Sequence, residues 1–88
     1  MAWRVDFLPA AEKAFGKLDR QHQLRIKQFV DSRLETDHDP RRIGEAYVGT
    51  LKGYWKYRVG DYRLVCEIQD RIRKILVVAI GDRKNIYR

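Results

Sequence analysis

The sequence predicts an α+β fold in the order β-α-α-β-β-β, with a mainly antiparallel twisted sheet and an N-terminal helical hairpin on one face. The period of the apolar residues leads to this prediction. Apolar residues recur at every second position over residues 3–8, at helical spacing over residues 9–34, and at every second position again from residue 54 onward. No internal repeat or linker interrupts the 88 residues, so we expect one domain over residues 1–88.

The first half of the chain supplies a strand and two helices. Residues 3–8, WRVDFL, alternate as a strand does. Pro9 suits the first position of a helix because its missing N–H has no partner there, and Gly16 keeps that helix short. Asp19 can cap a second helix, and polar residues 35–42 form the loop that ends it. The second helix carries a core-facing apolar stripe: Ile26, Phe29, Val30 and Leu34.

The second half supplies three strands. Residues 54–59 and 62–68 form a hairpin through Gly60-Asp61, with Gly first as a type II′ turn prefers. Polar residues 69–74 connect the hairpin to residues 75–80, ILVVAI. Because this last segment is apolar on both faces, we expect a central strand.

The two-residue turn fixes which residues face each other across the hairpin. Arg58 faces Arg63, and Lys56 lies on the same face, although like charges opposite each other destabilise a sheet. A slip of one residue would bury these cations, so the register is well specified. The apolar face should lie beneath the helices: Trp55, Tyr57, Val59, Tyr62, Leu64, Cys66 and Ile68. We call the other face the open face and expect it to be exposed and strongly positive: Tyr54, Lys56, Arg58, Arg63, Val65 and Glu67.

The net charge of +7 is concentrated in the second half of the chain. Residues 1–51 hold nine Lys and Arg against eight Asp and Glu, whereas residues 52–88 hold ten against four. A basic half within strand-like sequence indicates a polyanionic partner such as nucleic acid, or an acidic protein segment. Arginine suits phosphate oxygens and an aromatic such as Tyr54 can stack an unpaired base, so both partners stay open at this point.

Several classes of site are excluded by pattern. Cys66 lies in an apolar strand and is expected to be a buried hydrophobe rather than a nucleophile. His22 and His38 have no ligand spacing, so we expect no metal, and no glycine-rich loop indicates a nucleotide cofactor. No apolar run resembles a signal peptide or a membrane span, so we expect a cytoplasmic protein without membrane contact.

RNA cleavage is one reaction that such a basic face can support. RNA carries its nucleophile, the 2′-hydroxyl, next to the scissile phosphate. The protein then needs to align that oxygen, move two protons and stabilise the charge of the pentacoordinate phosphorus. Arginine and lysine can supply the charge, and lysine or tyrosine can transfer protons. The candidate set is Lys56, Arg63, Arg83 and Tyr87.

The segment LKGYWKYRVGDYRLVCEI, followed by a strand and GDRKNIYR, resembles the RelE/ParE superfamily of bacterial type II toxin–antitoxin toxins over nearly the whole chain. The RelE-like branch comprises mRNA interferases, which are ribosome-dependent endoribonucleases that cut mRNA in the A site. The ParE-like branch poisons DNA gyrase and generally lacks the RNase residues. A third alternative is a non-catalytic member that only binds an antitoxin.

The resemblance to the RelE-like branch implies roles for individual residues. Arg63 and Arg83 would stabilise the phosphate and the transition state, and Lys56 would supply charge and transfer a proton. Tyr87 would stack on or orient the substrate and take part in proton transfer. Tyr54 departs from the pattern, because some members carry a second lysine there. The residues that we expect to bind RNA beside this site are Lys52, Tyr54, Arg58 and Lys84. The implied partners are the ribosome with its mRNA and a cognate antitoxin with an acidic or amphipathic segment.

Overall fold

The structure is a computed structural model that describes residues 1–82. Within that range the chain forms two α-helices and one five-stranded sheet. The elements are α1 (Pro9–Gly16), α2 (Arg20–Phe29), β1 (Arg4–Phe7), β2 (Glu45–Ala46), β3 (Trp55–Val59), β4 (Tyr62–Gln69) and β5 (Lys74–Asp82).

The sheet has the strand order β1-β5-β4-β3-β2, in which β1 and β5 are parallel and the other pairs antiparallel. This confirms the predicted α+β class. It also confirms that the apolar segment at 75–80 is an inner strand, because β5 has a neighbour on each side. Strand β2 was not predicted, and the connection between β4 and β5 is shorter than expected, a 3₁₀ turn over Asp70–Ile72.

The helices begin and end where local chemistry requires. Pro9 occupies the first turn of α1, and the Asp19 carboxylate accepts a hydrogen bond from the His22 backbone N–H at 2.9 Å, which confirms the predicted cap of α2. The Gln23 side chain donates to the Leu18 carbonyl at 3.1 Å and so fastens the link between the helices. Beyond α2 the chain continues as a π-helical turn over Val30–Leu34.

The core lies between the helices and one face of the sheet, as predicted. The helical stripe and the apolar hairpin face meet there, and the hydrophobic effect of burying these side chains is the main stabilising force. Trp3 joins them although it precedes β1, and its backbone N–H donates to the Thr36 carbonyl at 2.8 Å. The buried residues of this core are Trp3, Ala11, Ile26, Val30, Leu34, Tyr57, Val59, Leu64, Cys66, Ile75 and Val77.

The β3–β4 hairpin has the predicted register. Arg58 pairs with Arg63, Lys56 with Val65, and Val59 with Tyr62. Gly60 has a φ of 60°, the left-handed value that the first turn residue of a type II′ turn needs and that glycine adopts without a steric penalty. The alternation of apolar and polar side chains therefore sets the register, and this register places Arg58 opposite Arg63.

Tyr57 fastens the loop that follows the helices to the hairpin. Its side chain is fully buried, its ring packs 6.1 Å from that of Phe29, and its hydroxyl donates to the Pro40 carbonyl at 2.7 Å. Gly44 passes so close that an added Cβ would lie 2.8 Å from the Tyr57 ring. The absence of a side chain at residue 44 therefore allows the chain to run beside β3 and form β2.

A second contact holds the same loop to the 3₁₀ turn that follows β4. The Arg41 guanidinium binds the Asp70 carboxylate in a bidentate manner, at 3.0 and 2.7 Å, and lies 5.8 Å from the centre of the Trp55 ring. The hydrogen bonds from Arg41 lower the pKa of the Asp70 carboxyl. Because the Asp70 side chain is 62% exposed, this ion pair positions the loop more than it stabilises the fold.

Tyr57→Phe is expected to lower the free energy of unfolding by about 1–3 kcal/mol, because the buried Pro40 carbonyl would lose its hydrogen bond. The matched control is Tyr62→Phe, which deletes a hydroxyl from a half-buried ring and should change stability by about 0.5 kcal/mol or less. Urea unfolding followed by circular dichroism measures both. Equal effects of the two substitutions would contradict the anchoring role of Tyr57.

Candidate nucleic-acid interface

The open face brings residues from three adjacent strands together. Glu45 on β2 pairs with Lys56 on β3, and Arg58 on β3 pairs with Arg63 on β4. Because paired residues lie on the same face, these four side chains share one surface. Lys56 and Arg63 are diagonal neighbours, roughly 7–8 Å apart at the backbone. We call Lys56, Arg58 and Arg63 the basic cluster.

Lys56 is held by two contacts that the sequence did not predict. Its ammonium lies 3.9 Å from the nearer Glu45 carboxylate oxygen and 5.7 Å from the centre of the Tyr47 ring. The side chain is 20% exposed, whereas that of Glu45 is 68% exposed. Sequence reasoning missed Glu45 and Tyr47 because β2 has two residues, too few to show a period.

Arg63 carries the most unusual environment of the cluster. It is half-buried between Arg58 on one neighbouring strand and Gly81 on the other. Its Nε–H is shielded from solvent and has no hydrogen-bond partner within residues 1–82. A buried donor without a partner costs free energy, which an incoming anion would recover.

Parts of the predicted open face are corrected by the structure. Val65 is 1% exposed, so the centre of the face is covered rather than open. Glu45 adds a carboxylate, so the field around Lys56 is less positive than the hairpin alone predicts. The expected pair of Tyr54 with Glu67 is absent from the described ladder, which starts at Trp55.

Tyr54 lies in the loop that leads into β3. Its carbonyl accepts a hydrogen bond from the Tyr47 N–H, just after β2, at 3.0 Å. Lys52 is exposed and follows a 3₁₀ turn over Gly49–Leu51. Lys52 and Tyr54 of the predicted RNA-binding set thus lie on the loop between β2 and β3, and Arg58 is exposed within the basic cluster.

The remaining predicted site residues lie outside the part of the chain that the structure describes: Arg83, Lys84 and Tyr87. The last described residue, Asp82, ends β5 and pairs with Tyr62, the neighbour of Arg63. The assignment of Arg83, Lys84 and Tyr87 to the site therefore stays a prediction from the sequence.

The Cys66 thiol and the His22 ring have structural surroundings rather than those of catalytic groups. Burial raises the pKa of the Cys66 thiol, which keeps it protonated and a poor nucleophile. The His22 ring contacts the Asp19 carboxylate at 2.7 Å within the cap of α2. In the stretch 1–82, no three His, Cys, Asp or Glu side chains converge as metal ligands do, and neither helix has the length and apolarity to cross a membrane.

Comparison with known proteins identifies the family. The family model for the ParE toxin of type II toxin–antitoxin systems matches residues 5–87 of this chain. The toxin RelG of Mycobacterium tuberculosis is 27% identical over 88 residues, covering 100% of this chain and 99% of RelG. The chain therefore belongs to the ParE toxin family of type II toxin–antitoxin systems, within the RelE/ParE superfamily.

Solved structures show the same fold. The RelBE2 toxin–antitoxin complex of Mycobacterium tuberculosis contains a chain with a TM-score of 0.84 and 24% identity, covering 94% of this chain and 100% of that one. The archaeal RelE–RelB complex of Pyrococcus horikoshii gives a TM-score of 0.73 and 27% identity, covering 97% and 99%. The resemblance to the RelE/ParE superfamily is thus confirmed in sequence and in architecture.

Arg58→Thr is expected to raise the free energy of unfolding by about 0.2–1 kcal/mol, because it removes a like charge opposite Arg63 and adds a residue that favours strands. The repulsive part of this gain should shrink in high salt, which screens charges. Urea unfolding at low and high salt measures it, with Arg71→Thr on the exposed β4–β5 turn as the control. A loss of stability at both salt concentrations would contradict a repulsive Arg58–Arg63 pair.

Proposed function

We propose that this toxin is a ribosome-dependent endoribonuclease that cleaves mRNA in the A site. The observation that carries the proposal is the desolvated, unpartnered Nε–H of Arg63 beside Lys56 on one face of the sheet. Donors that are already in place and freed of water stabilise a developing anion at little reorganisation cost. The phosphorus of a scissile RNA linkage develops such a charge.

The proposed reaction uses the 2′-hydroxyl of the RNA substrate as the nucleophile. The 2′-oxygen attacks the adjacent phosphorus while the bond from phosphorus to the 5′-oxygen breaks, which leaves a 2′,3′-cyclic phosphate and a 5′-hydroxyl. Arg63 would bind the non-bridging oxygens, and Lys56 would add charge and take part in proton transfer. Arg83 and Tyr87 are assigned from the sequence and the resemblance, as a second phosphate ligand and as the residue that orients the substrate and takes part in proton transfer. No cofactor is needed, because RNA supplies the nucleophile.

The partners follow from the same proposal. The ribosome with its mRNA is the substrate complex, which puts the protein in the cytoplasm. A cognate antitoxin is the second partner, since the RelE-like chains of the comparison structures were solved with theirs. Lys52, Tyr54 and Arg58 would contact RNA next to the cleaved bond, and Lys84 joins them as a prediction from the sequence. We assign the whole of residues 1–88 to one domain.

Gyrase poisoning is the second candidate function. The matching family model is that of the ParE toxin, and Tyr54 stands where some RelE-like members carry a second lysine. Toxin expression separates the candidates. New mRNA 5′ ends within translated codons support the endoribonuclease, whereas cleaved gyrase–DNA complexes with intact mRNA support the ParE-like function. A chain that binds antitoxin but is harmless alone would contradict both.

Arg63→Ala and Arg83→Ala are each expected to reduce cleavage of ribosome-bound mRNA by about 100–1000-fold, the effect of removing one preorganised donor. Both variants should remain folded, because each removes a cation from a basic region. Single-turnover cleavage with programmed ribosomes measures the loss, and a thermal melt checks folding. Arg71→Ala, an exposed arginine on the β4–β5 turn, is the control.

Two results would contradict this assignment. Full cleavage activity in both variants would mean that the arginines do not stabilise the transition state. Unfolding of both would mean that they are structural, because the loss of activity would then have no catalytic cause.

A further inference from the structure

The Lys56 ammonium is the charge of the proposed site whose position the sheet alone does not determine. The register of β3 fixes where this side chain begins, but a flexible four-carbon stem separates the charge from the backbone. A lysine on an exposed face is free to sample many rotamers in water. The Lys56 side chain is nevertheless 20% exposed, so neighbouring groups hold it.

Tyr47 lies on the same face of the sheet as Lys56. Glu45 pairs with Lys56 across the β2–β3 ladder. Two residues further on, the Tyr47 N–H donates to the Tyr54 carbonyl at 3.0 Å, which continues the same register. Because side chains alternate along an extended chain, Tyr47 shares the face of Glu45 and Lys56. The Lys56 ammonium lies 5.7 Å from the centre of the Tyr47 ring, within the distance at which an aromatic ring attracts a cation.

We infer that Tyr47 is a positioning residue of the proposed cleavage reaction, and that its ring holds the Lys56 ammonium where the scissile phosphate binds. This inference rests on the proposed endoribonuclease function. Catalysis requires the charged groups to be in place before the transition state forms, and a misplacement of about 1 Å can cost about 100-fold in rate. A ring that orders the ammonium in advance would therefore act on the rate of cleavage more than on the affinity for RNA.

An aromatic ring suits this task better than a carboxylate does. The Glu45 side chain is 68% exposed and its nearer oxygen lies 3.9 Å from the Lys56 ammonium, so water and salt weaken their attraction. A carboxylate also offsets the positive charge that a phosphate requires. The uncharged Tyr47 ring attracts the ammonium through its quadrupole and leaves the net charge of Lys56 unchanged. Lys56 can then present its full charge to the phosphate.

Replacing the ring tests the positioning role. Tyr47→Leu removes the quadrupole and keeps an apolar side chain, so the single-turnover rate of cleavage on programmed ribosomes should fall by about 10–100-fold. Tyr47→Phe keeps the ring and should retain the native rate. Binding to programmed ribosomes should be the same in both variants, because the charge of Lys56 remains. A thermal melt checks folding, and Tyr47→Met is the second ring-free variant if Tyr47→Leu does not fold.

A double-mutant cycle with Lys56→Ala separates positioning from an independent role of Tyr47. If the ring acts through the lysine, adding Tyr47→Leu to Lys56→Ala should lower the residual rate by less than about twofold, the usual error of such cycles. A tyrosine that stacked on an RNA base or supported the fold would cost as much in the Lys56→Ala background as in the native protein, and that result would overturn the inference.

Val48→Ser is the matched control for disturbance of the loop. Val48 follows Tyr47 in the chain and is 86% exposed, so its substitution should leave the rate, the binding and the melting temperature unchanged. A loss of rate in Val48→Ser equal to that in Tyr47→Leu would show that any change in this loop disturbs the site. The ring of Tyr47 would then have no specific role.

The remaining outcomes distinguish the inference from the function on which it rests. Native rates in Tyr47→Leu and Tyr47→Met would overturn the inference. An equal loss in Tyr47→Phe and Tyr47→Leu would also overturn it, because the hydroxyl and not the ring would then be required. Weaker ribosome binding with an unchanged rate at saturation would make Tyr47 an RNA contact instead. In these three cases the native protein still cleaves, so the proposed function stands. If the native protein leaves ribosome-bound mRNA intact, the endoribonuclease proposal fails and the inference fails with it.

Discussion

The Tyr57 side chain is the contact on which the position of the site depends. Its ring fills the core, and its hydroxyl holds the Pro40 carbonyl, so the loop after the helices is drawn onto β3. Gly44 lets this loop approach because a Cβ there would collide with the ring. The next residue is Glu45, which pairs with Lys56 on the opposite face. A buried tyrosine on one side of β3 thus determines which group meets a lysine on the other side.

The hairpin could be predicted from the sequence because two independent signals agree there. The alternation from Trp55 to Ile68 places the apolar side chains other than Val65 on one face, and Gly60 permits the turn that this register needs. A wrong register would bury arginines, whose desolvation is far more costly than the repulsion of Arg58 and Arg63. The pairing of like charges is therefore a consequence of the core.

The partner of Lys56 could not be predicted in the same way. Strand β2 has two residues, both exposed, and neither its length nor its composition distinguishes it from a loop. It exists because of tertiary contacts at Pro40 and Gly44, which no local pattern encodes. The burial of Val65 was missed for a similar reason, since alternation shows which face a side chain is on and not what covers that face.

Two features of the basic cluster reduce the stability of the fold. Arg58 and Arg63 repel each other, and the Arg63 Nε–H is desolvated without a partner among residues 1–82. Such conflicts between local and global preference are expected at functional sites, where a ligand compensates for them. A phosphate group would relieve both at once, because it brings negative charge and acceptor oxygens to the same point.

In the proposed reaction the RNA substrate supplies the nucleophile and the protein supplies charge and proton transfer. The most direct measurement is cleavage of a ribosome-bound mRNA that carries a single 2′-deoxynucleotide on the 5′ side of the cleaved linkage. We expect this mRNA to bind as the all-ribose mRNA does and to remain uncut at that linkage. The all-ribose mRNA should yield a 2′,3′-cyclic phosphate and a 5′-hydroxyl. Cleavage of the deoxy-substituted linkage at an unchanged rate would contradict it, because the nucleophile would then be water or a protein side chain.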